Sequence, residues 1–281
     1  MKKKFLLGAV MCLLGSAAVA SDEEPTQSIM QSRTKQFVIV AGGSSVLFDS
    51  SFRFLNKETG NSIFLDPEGQ LDLPQRQNVP TLTMLVALKD RHFLSIGATQ
   101  FRRESEPLLV EDVHLGDLEI IDASVEVWLN SNDFDISYSY KLFADDHIRI
   151  LGKVGFYTLD LDVGIEAEGH WSYGGVPDDG LYEQARTLIA PLPLIGVQFN
   201  FYVNRRWSLA LAVDGMYLPV GDITGRALRS KIHTRYAFGK TIGIIFGIDY
   251  FNISVTEQND ERKYEVKYGY DGVFAGLIFA F

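Results

Sequence analysis

Val273-Phe274-Ala275-Gly276-Leu277-Ile278-Phe279-Ala280-Phe281 closes the chain. Val273, Leu277, Phe279 and Phe281 lie two or four residues apart, with the small residues Gly276 and Ala280 between them. Successive side chains of a strand point to opposite faces, so a period of two predicts a strand with one greasy face. The stretch Thr241 to Ser254 repeats the pattern. Ile242, Ile244, Phe246, Ile248 and Tyr250 share a face; Gly243, Gly247 and Asp249 share the other, with Ile245 among them. Leu228 to Phe238 is sharper still: Leu228, Ile232, Tyr236 and Phe238 oppose Arg229, Lys231, His233 and Arg235. Such strands separate two unlike environments. In a soluble sandwich the polar face meets bulk water, and in a transmembrane barrel it meets a lumen.

Working outward, the same test marks ten strands. Phe48, Phe52 and Phe54 mark the first, starting as early as Gln36. Leu82, Met84, Val86 and Leu88 mark the second, and Leu94, Ile96 and Ala98 the third. The fourth sets Phe134, Ile136, Tyr138, Tyr140 and Leu142 against Asp133, Asp135, Ser137, Ser139 and Lys141. The fifth starts with Ile148, Ile150, Val154 and Phe156, then changes phase to Tyr157, Leu159, Leu161 and Val163. That change predicts a bulge near Gly155 to Tyr157. Ile195, Val197, Phe199, Phe201 and Val203 mark the sixth; Trp207, Leu209, Leu211 and Val213 the seventh. The tenth begins with Tyr264, Val266, Tyr268 and Tyr270, and a second bulge is expected at Asp271-Gly272. Tight turns at Lys89-Asp90-Arg91, Ala144-Asp145-Asp146, Asn204-Arg205 and Gly239-Lys240 alternate with longer stretches at 57–79, 104–123, 164–186, 221–225 and 257–263. Splitting at Gly42-Gly43 or Asn130-Ser131 would give twelve strands, and eight also stays open. The fourth and fifth patterns run past the 9 to 11 residues, roughly, that cross a bilayer, so a sheet projecting above the membrane is expected.

At the other end, Lys2, Lys3 and Lys4 precede the apolar run Phe5 to Leu14 and an A-x-A site, Ala18-Val19-Ala20. This is the grammar of a cleaved secretory signal peptide over residues 1–20. The apolar run is far short of the roughly 20 residues a spanning helix needs. Cys12, the chain's one cysteine, lies inside it. Met11 before it is not the small residue a lipidation site wants. After cleavage neither disulfides nor thiol chemistry are available. Residues 21–35 read as a flexible periplasmic lead-in, and 36–281 as the barrel. The formal charge of −10 becomes more negative once the three lysines are removed, which disfavours nucleic acid as a partner. The 19 Phe and 12 Tyr suit interfacial girdles.

A final strand ending on Phe281, with Phe279 and Leu277 on its greasy face, resembles the closing strand of Gram-negative outer-membrane β-barrels. The resemblance implies an assembly signal at Phe281, Phe279 and Leu277, read by the barrel assembly machinery after passage with periplasmic chaperones. It also implies closure of the last strand on the first, and outer-membrane lipids and lipopolysaccharide as surroundings. Tyr138 to Phe143, Ile150 to Gly155 and Ala190 to Gly196 are similar to a group of uncharacterised proteobacterial outer-membrane barrels, which implies a fold and a location but no activity. The fold expected is an all-β antiparallel transmembrane barrel with short periplasmic turns and longer outer loops.

Two functional classes follow. A narrow polar lumen suits a structural, surface-interaction or small porin-like barrel. An outer-membrane lipid-modifying hydrolase is the alternative, and it needs a base beside a nucleophile. His233, between Lys231 and Arg235, is the candidate base. The competing reading makes Arg229, Lys231, His233, Arg235, Asp249 and Asp214 a lumen charge network, as opposed charges fill narrow barrels. His92, His114, His147 and His170 fall in turns or loops without metal-ligand spacing, so no metal and no cofactor is expected. Acidic residues gather at Glu104, Glu106, Glu111 and Asp112, at Asp178, Asp179 and Glu183, and at Glu257, Asp260 and Glu261. They read as solvated outer loops before they read as sites for divalent cations.

Overall fold

Phe281 donates its backbone N–H to the carbonyl of Phe37 at 2.9 Å, and their rings lie 6.1 Å apart. That contact closes a cylinder. The computed structural model describes residues 37–56, 62–110, 113–115, 118–173, 176–258 and 262–281. The expected signal peptide and lead-in lie outside them. The barrel strands are β1 (Phe37–Asn56), β3 (Arg76–Lys89), β4 (His92–Phe101), β7 (Leu118–Ala144), β8 (Ile148–Tyr173), β9 (Val176–Tyr202), β10 (Trp207–Val220), β11 (Ile223–Ala237), β12 (Ile242–Gln258) and β13 (Arg262–Ala280). All neighbours pair antiparallel, and β13 pairs with β1 to make a closed ten-stranded barrel. The short strands β2 (Ser62–Leu65), β5 (Leu108–Val110) and β6 (Val113–Leu115) extend the upper ends of β1 and β7. No described helix is long and apolar enough to cross a membrane, and α1 (Pro67–Gln70) is a single turn.

The four tight turns fall where the sequence places them. In one, Asp145 accepts the backbone N–H groups of Ile148 and His147, both at 2.8 Å. Those two donors, Ile148 first, hold its carboxyl below the usual range. At the opposite end the described residues 164–173 and 176–186 of the segment expected as a loop are ladder. β8 and β9 run in unbroken register from Ile148↔Phe201 to Tyr173↔Val176. His170 therefore stands in β8, His92 in β4 and His114 in β6; of the four, His147 alone is in a turn.

Neither expected bulge exists. The β8–β9 ladder has no shift near Tyr157, and β13 pairs regularly with both neighbours through Asp271 and Gly272. The hydrophobic phase changes because the solvent changes, while the backbone stays in register. On β12, Ile244, Phe246 and Tyr250 face outward and are 41, 53 and 42 % exposed. Further along the same strand Phe251 and Ile253 face inward and are buried, with Asn252, Ser254 and Thr256 now outside. Near the turns the wall is greasy outside and polar inside, as lipid demands. Beyond the crossover it is polar outside and greasy inside, as in a water-soluble barrel. This also corrects the first strand: Phe48 and Phe52 belong to the interior of the upper half, with Phe48 1 % exposed. The side chain of Phe54 lies outside the described set.

The upper interior is a packed core. Val46, Phe48, Leu73, Phe101, Val127, Leu129, Tyr157, Leu159, Phe251 and Tyr268 belong to one buried cluster. Leu73 comes from the β2–β3 connection, which is pinned inward. Asp66 caps α1 by accepting from the Gly69 N–H at 3.0 Å. Glu68 of α1 accepts the Ser50 backbone N–H at 3.0 Å and pairs with the fully buried Arg103. Arg103 also donates through Nε to Pro74 at 3.2 Å and covers the Phe48 ring at 4.1 Å.

Candidate functional site

Below that core, with its single Arg103–Glu68 pair, the lumen gathers a larger set of buried and half-buried charges. Its ceiling is aromatic. Phe48 and Phe101 meet edge-on at 5.3 Å, Tyr157 and Phe251 lie 4.7 Å apart, and Tyr270 contacts Phe101 and Phe251 at 5.3 and 5.5 Å. Tyr157 donates its hydroxyl to the Asp133 carboxylate, which also accepts from Ser131 at 2.9 Å.

Charged side chains fill the next level. Asp214 on β10 is cross-strand from Arg229 on β11. It accepts from Arg229 Nε and Nη2 at 3.2 and 3.1 Å, and from Lys153 Nζ at 3.0 and 2.9 Å. Arg229 reaches Asp135 at 3.9 Å, and its guanidinium lies 5.6 Å from the centre of the Tyr157 ring. Asp249 is cross-strand from Lys231. It meets Lys231 Nζ at 3.6 Å and His233 Nε2 at 2.5 Å. His233 stacks on Phe274 at 5.5 Å. Arg235 stands nearest the turns, cross-strand from Ser208. Thus Arg229, Lys231, His233 and Arg235 all line one cavity of about 230 Å3 together with Asp249. Asp214 closes the ring through Lys153 and Arg229.

Sequence reading missed Lys153 and Asp135 as members of this network, and it missed what the small residues are for. Gly97, Gly196 and Gly247 stand directly cross-strand from Asp135, Asp214 and His233. A Cβ on any of the three would overlap the side chain opposite. The missing methyl lets each polar group lie flat along the wall; Gly196 is the gap across which Lys153 reaches Asp214. Gly196→Ala is expected to lower stability by about 1–3 kcal/mol through overpacking. Gly215→Ala, whose added Cβ would sit 3.6 Å from its nearest neighbour, serves as the near-neutral control. Equal unfolding temperatures for the two variants in lipid would show that the glycine gap is not needed.

Chemically, His233 and Asp249 make a base-and-carboxylate pair. The bond uses Nε2, leaving Nδ1 to act on a reactant. Among the described residues no hydroxyl is hydrogen-bonded to it, and no three His, Cys, Asp or Glu side chains converge as metal ligands. Glu111, Asp112, Asp260 and Glu261 of the acidic loops lie outside the described residues. So do the side chains of Asp178 and Asp179.

No protein-family model matches the chain, and no curated protein matches it. Solved structures do. The outer membrane protease OmpT from Escherichia coli is similar over 89 % of this chain and 98 % of its own, at 13 % identity and a TM-score of 0.53. OprG from Pseudomonas aeruginosa aligns over 92 and 99 % at 12 % identity, with a TM-score of 0.39. The toluene transporter TodX from Pseudomonas putida aligns over 88 and 90 % at 9 % identity and 0.33. The first of these establishes a shared fold: the chain is built as a Gram-negative outer-membrane β-barrel. At this identity a common fold carries no activity with it.

Proposed function

We propose that this protein is an integral outer-membrane barrel closed to through-conduction, with a structural or surface-interaction role. In this reading the four tight turns face the periplasm and the long β7–β9 wall faces outward. One observation carries it: the packed aromatic and aliphatic core above the charge layer, where Phe48, Phe101, Phe251 and Tyr268 are buried. A ten-stranded wall lies near the size whose interior side chains fill, well below the roughly 16 to 18 strands that leave an aqueous channel. Opposed charges in a low-dielectric lumen also hold each other firmly, so the layer beneath resists hydration by passing ions.

The test is conductance. Purified protein in planar bilayers is expected to show no steady current, and a stable open level in the unmodified protein would overturn the sealed reading. Orientation is tested separately. Cysteine introduced at Glu257 should be labelled in intact cells, and cysteine at Asp145 only after the outer membrane is permeabilised.

The hydrolase reading has the His233–Asp249 contact in its favour. Lipid analysis of cells carrying His233→Ala decides it. Loss of a lipid change seen with the parent protein, at unchanged barrel stability, would replace the structural reading with an enzymatic one.

A further inference from the structure

Asp133 is a buried carboxyl whose partners are two hydroxyls, Tyr157 and Ser131. It is 5 % exposed and stands just beyond the crossover, cross-strand from Leu159 of the upper core. Among the described residues no lysine, arginine or histidine pairs with it. The acids of the charge layer differ: Asp214 and Asp135 have Arg229, and Asp249 has Lys231 and His233. The titratable groups around Asp133 are Asp135 on its own strand, Tyr157 on β8, and Tyr268 and Tyr270 on β13. Arg229 and Lys231 of β11 and Asp249 of β12 share with it the lining of a cavity of about 40 Å3. Arg103 acts on Tyr268 from above and is paired with Glu68.

A carboxylate buried without a cation is costly, and such a group neutralises instead. Neutral Asp133 fits its surroundings. Tyr157 donates to Oδ2, and a proton on Oδ1 is 2.9 Å from reach of Ser131 Oγ, measured between the heavy atoms. The Ser131 hydroxyl then lies 3.4 Å from that of Tyr268. The chain of bonds ties β8 and β7 to β13, which β1, β3 and β4 separate from β7 along the wall.

We propose that Asp133 is a proton-binding site that sets how tightly the aromatic ceiling closes. With the proton on, a neutral carboxyl completes a dry strut across the lumen. Once the proton has left to bulk water, the carboxylate draws water into the small cavity beneath it, which has room for at least one molecule, and the ceiling loosens. Burial pushes the Asp133 carboxyl up to about 7; Asp135 adds to the rise, and the Tyr157 and Ser131 donors oppose it. The ordinary value is 3.8. Between the two, the folded chain holds the proton and the unfolded chain does not. The stability this group supplies is therefore complete at the acid end, falls as pH rises, and is gone above about 7.

The effect on sealing rests on the closed-barrel reading, whereas proton occupancy is read without any current. Infrared difference spectra of the full chain are recorded in dodecyl maltoside, a detergent with no carbonyl. A protonated-carboxyl C=O band is expected at the acid end and not at the alkaline end, and Asp133→Asn should remove it. Tyr157→Phe, which takes one donor from that carboxyl, should shift the band, so the assignment stands even where Asp133→Asn fails to assemble. From about pH 5 to about pH 9, the folding equilibrium of the parent relative to Asp133→Asn should fall by a factor of about ten or more. In planar bilayers the parent should be silent at the lower pH and show brief openings at the higher, while Asp133→Asn stays silent at both. No band that responds to either variant, or no fall in the folding equilibrium, overturns the proton site. Silence of the parent at both pH values overturns its coupling to the seal. Steady current in the parent at the lower pH overturns the closed-barrel reading instead, and the band still decides the proton site.

Discussion

Phe251→Ala is expected to destabilise the barrel by about 3–5 kcal/mol, the usual cost of removing a buried phenyl ring, and to make it leak. Phe251 is 1 % exposed and touches both Tyr157 and Tyr270, so it sits where the aromatic ceiling meets the charge layer. Removing it leaves a void lined on one side by rings and on the other by Arg229 and Asp133, polar enough to admit water. Two readouts should move together: a lower unfolding temperature in lipid, and current in planar bilayers where the parent protein is expected to show none. A variant that loses stability and still shows no current would mean that the seal lies higher, among the Leu73 and Arg103 contacts. A variant that loses neither would remove the ceiling from the account.

Phe246→Arg and Thr256→Arg test the change of solvent along one strand. Both side chains project from the outer face of β12, ten residues apart. Phe246 lies midway between the turn and the crossover near Tyr250, so an arginine there meets hydrocarbon, at a cost of about 2–4 kcal/mol. Thr256 stands beyond the crossover and cross-strand from Glu265. Arginine there is expected to fall within the roughly ±0.5 kcal/mol of an ordinary surface change. Reversible unfolding into lipid vesicles measures both. Similar costs at the two positions would show that the outer face keeps one environment along its length.

Much of the fold is legible in the residues. Period-two alternation places every barrel strand and the four tight turns; the closing role of Phe281 comes from the resemblance of the last strand to those of outer-membrane barrels. Alternation also places Arg229, Lys231, His233 and Arg235 on a common face, because strand geometry leaves side chains no other choice. What alternation cannot give is which face is inside. At Phe156-Tyr157 and at Tyr270-Asp271 the greasy phase changes, and a bulge and a change of solvent produce the same string of letters. Only strand length separates them: β7, β8 and β9 have 27, 26 and 27 residues, too many to be all in lipid. The same ambiguity put Phe48 and Phe52 on the wrong face. Partners across strands are hidden for another reason. Lys153 meets Asp214 past Gly196, and the register that brings three separate strands to one point is written in none of them singly. Arg103 is more obscure still, since its burial depends on a loop that carries Glu68 and Leu73 inward.

The wall is lopsided. β4 has 10 residues and β3 has 14, while β8 has 26. At roughly 3.3 Å per residue, β8 is about 85 Å of strand. Tilted as such strands are, it rises about 60–70 Å, roughly twice the hydrocarbon thickness. In the proposed orientation one flank barely clears the lipid while the other stands up like a mast. In that orientation anything too large to reach the membrane surface, such as an antibody or a virus particle, would meet the β7–β9 wall long before the β3–β4 side of the barrel. Changes that alter how the cell is seen from outside should therefore concentrate at the far end of that wall, at little cost to the barrel below.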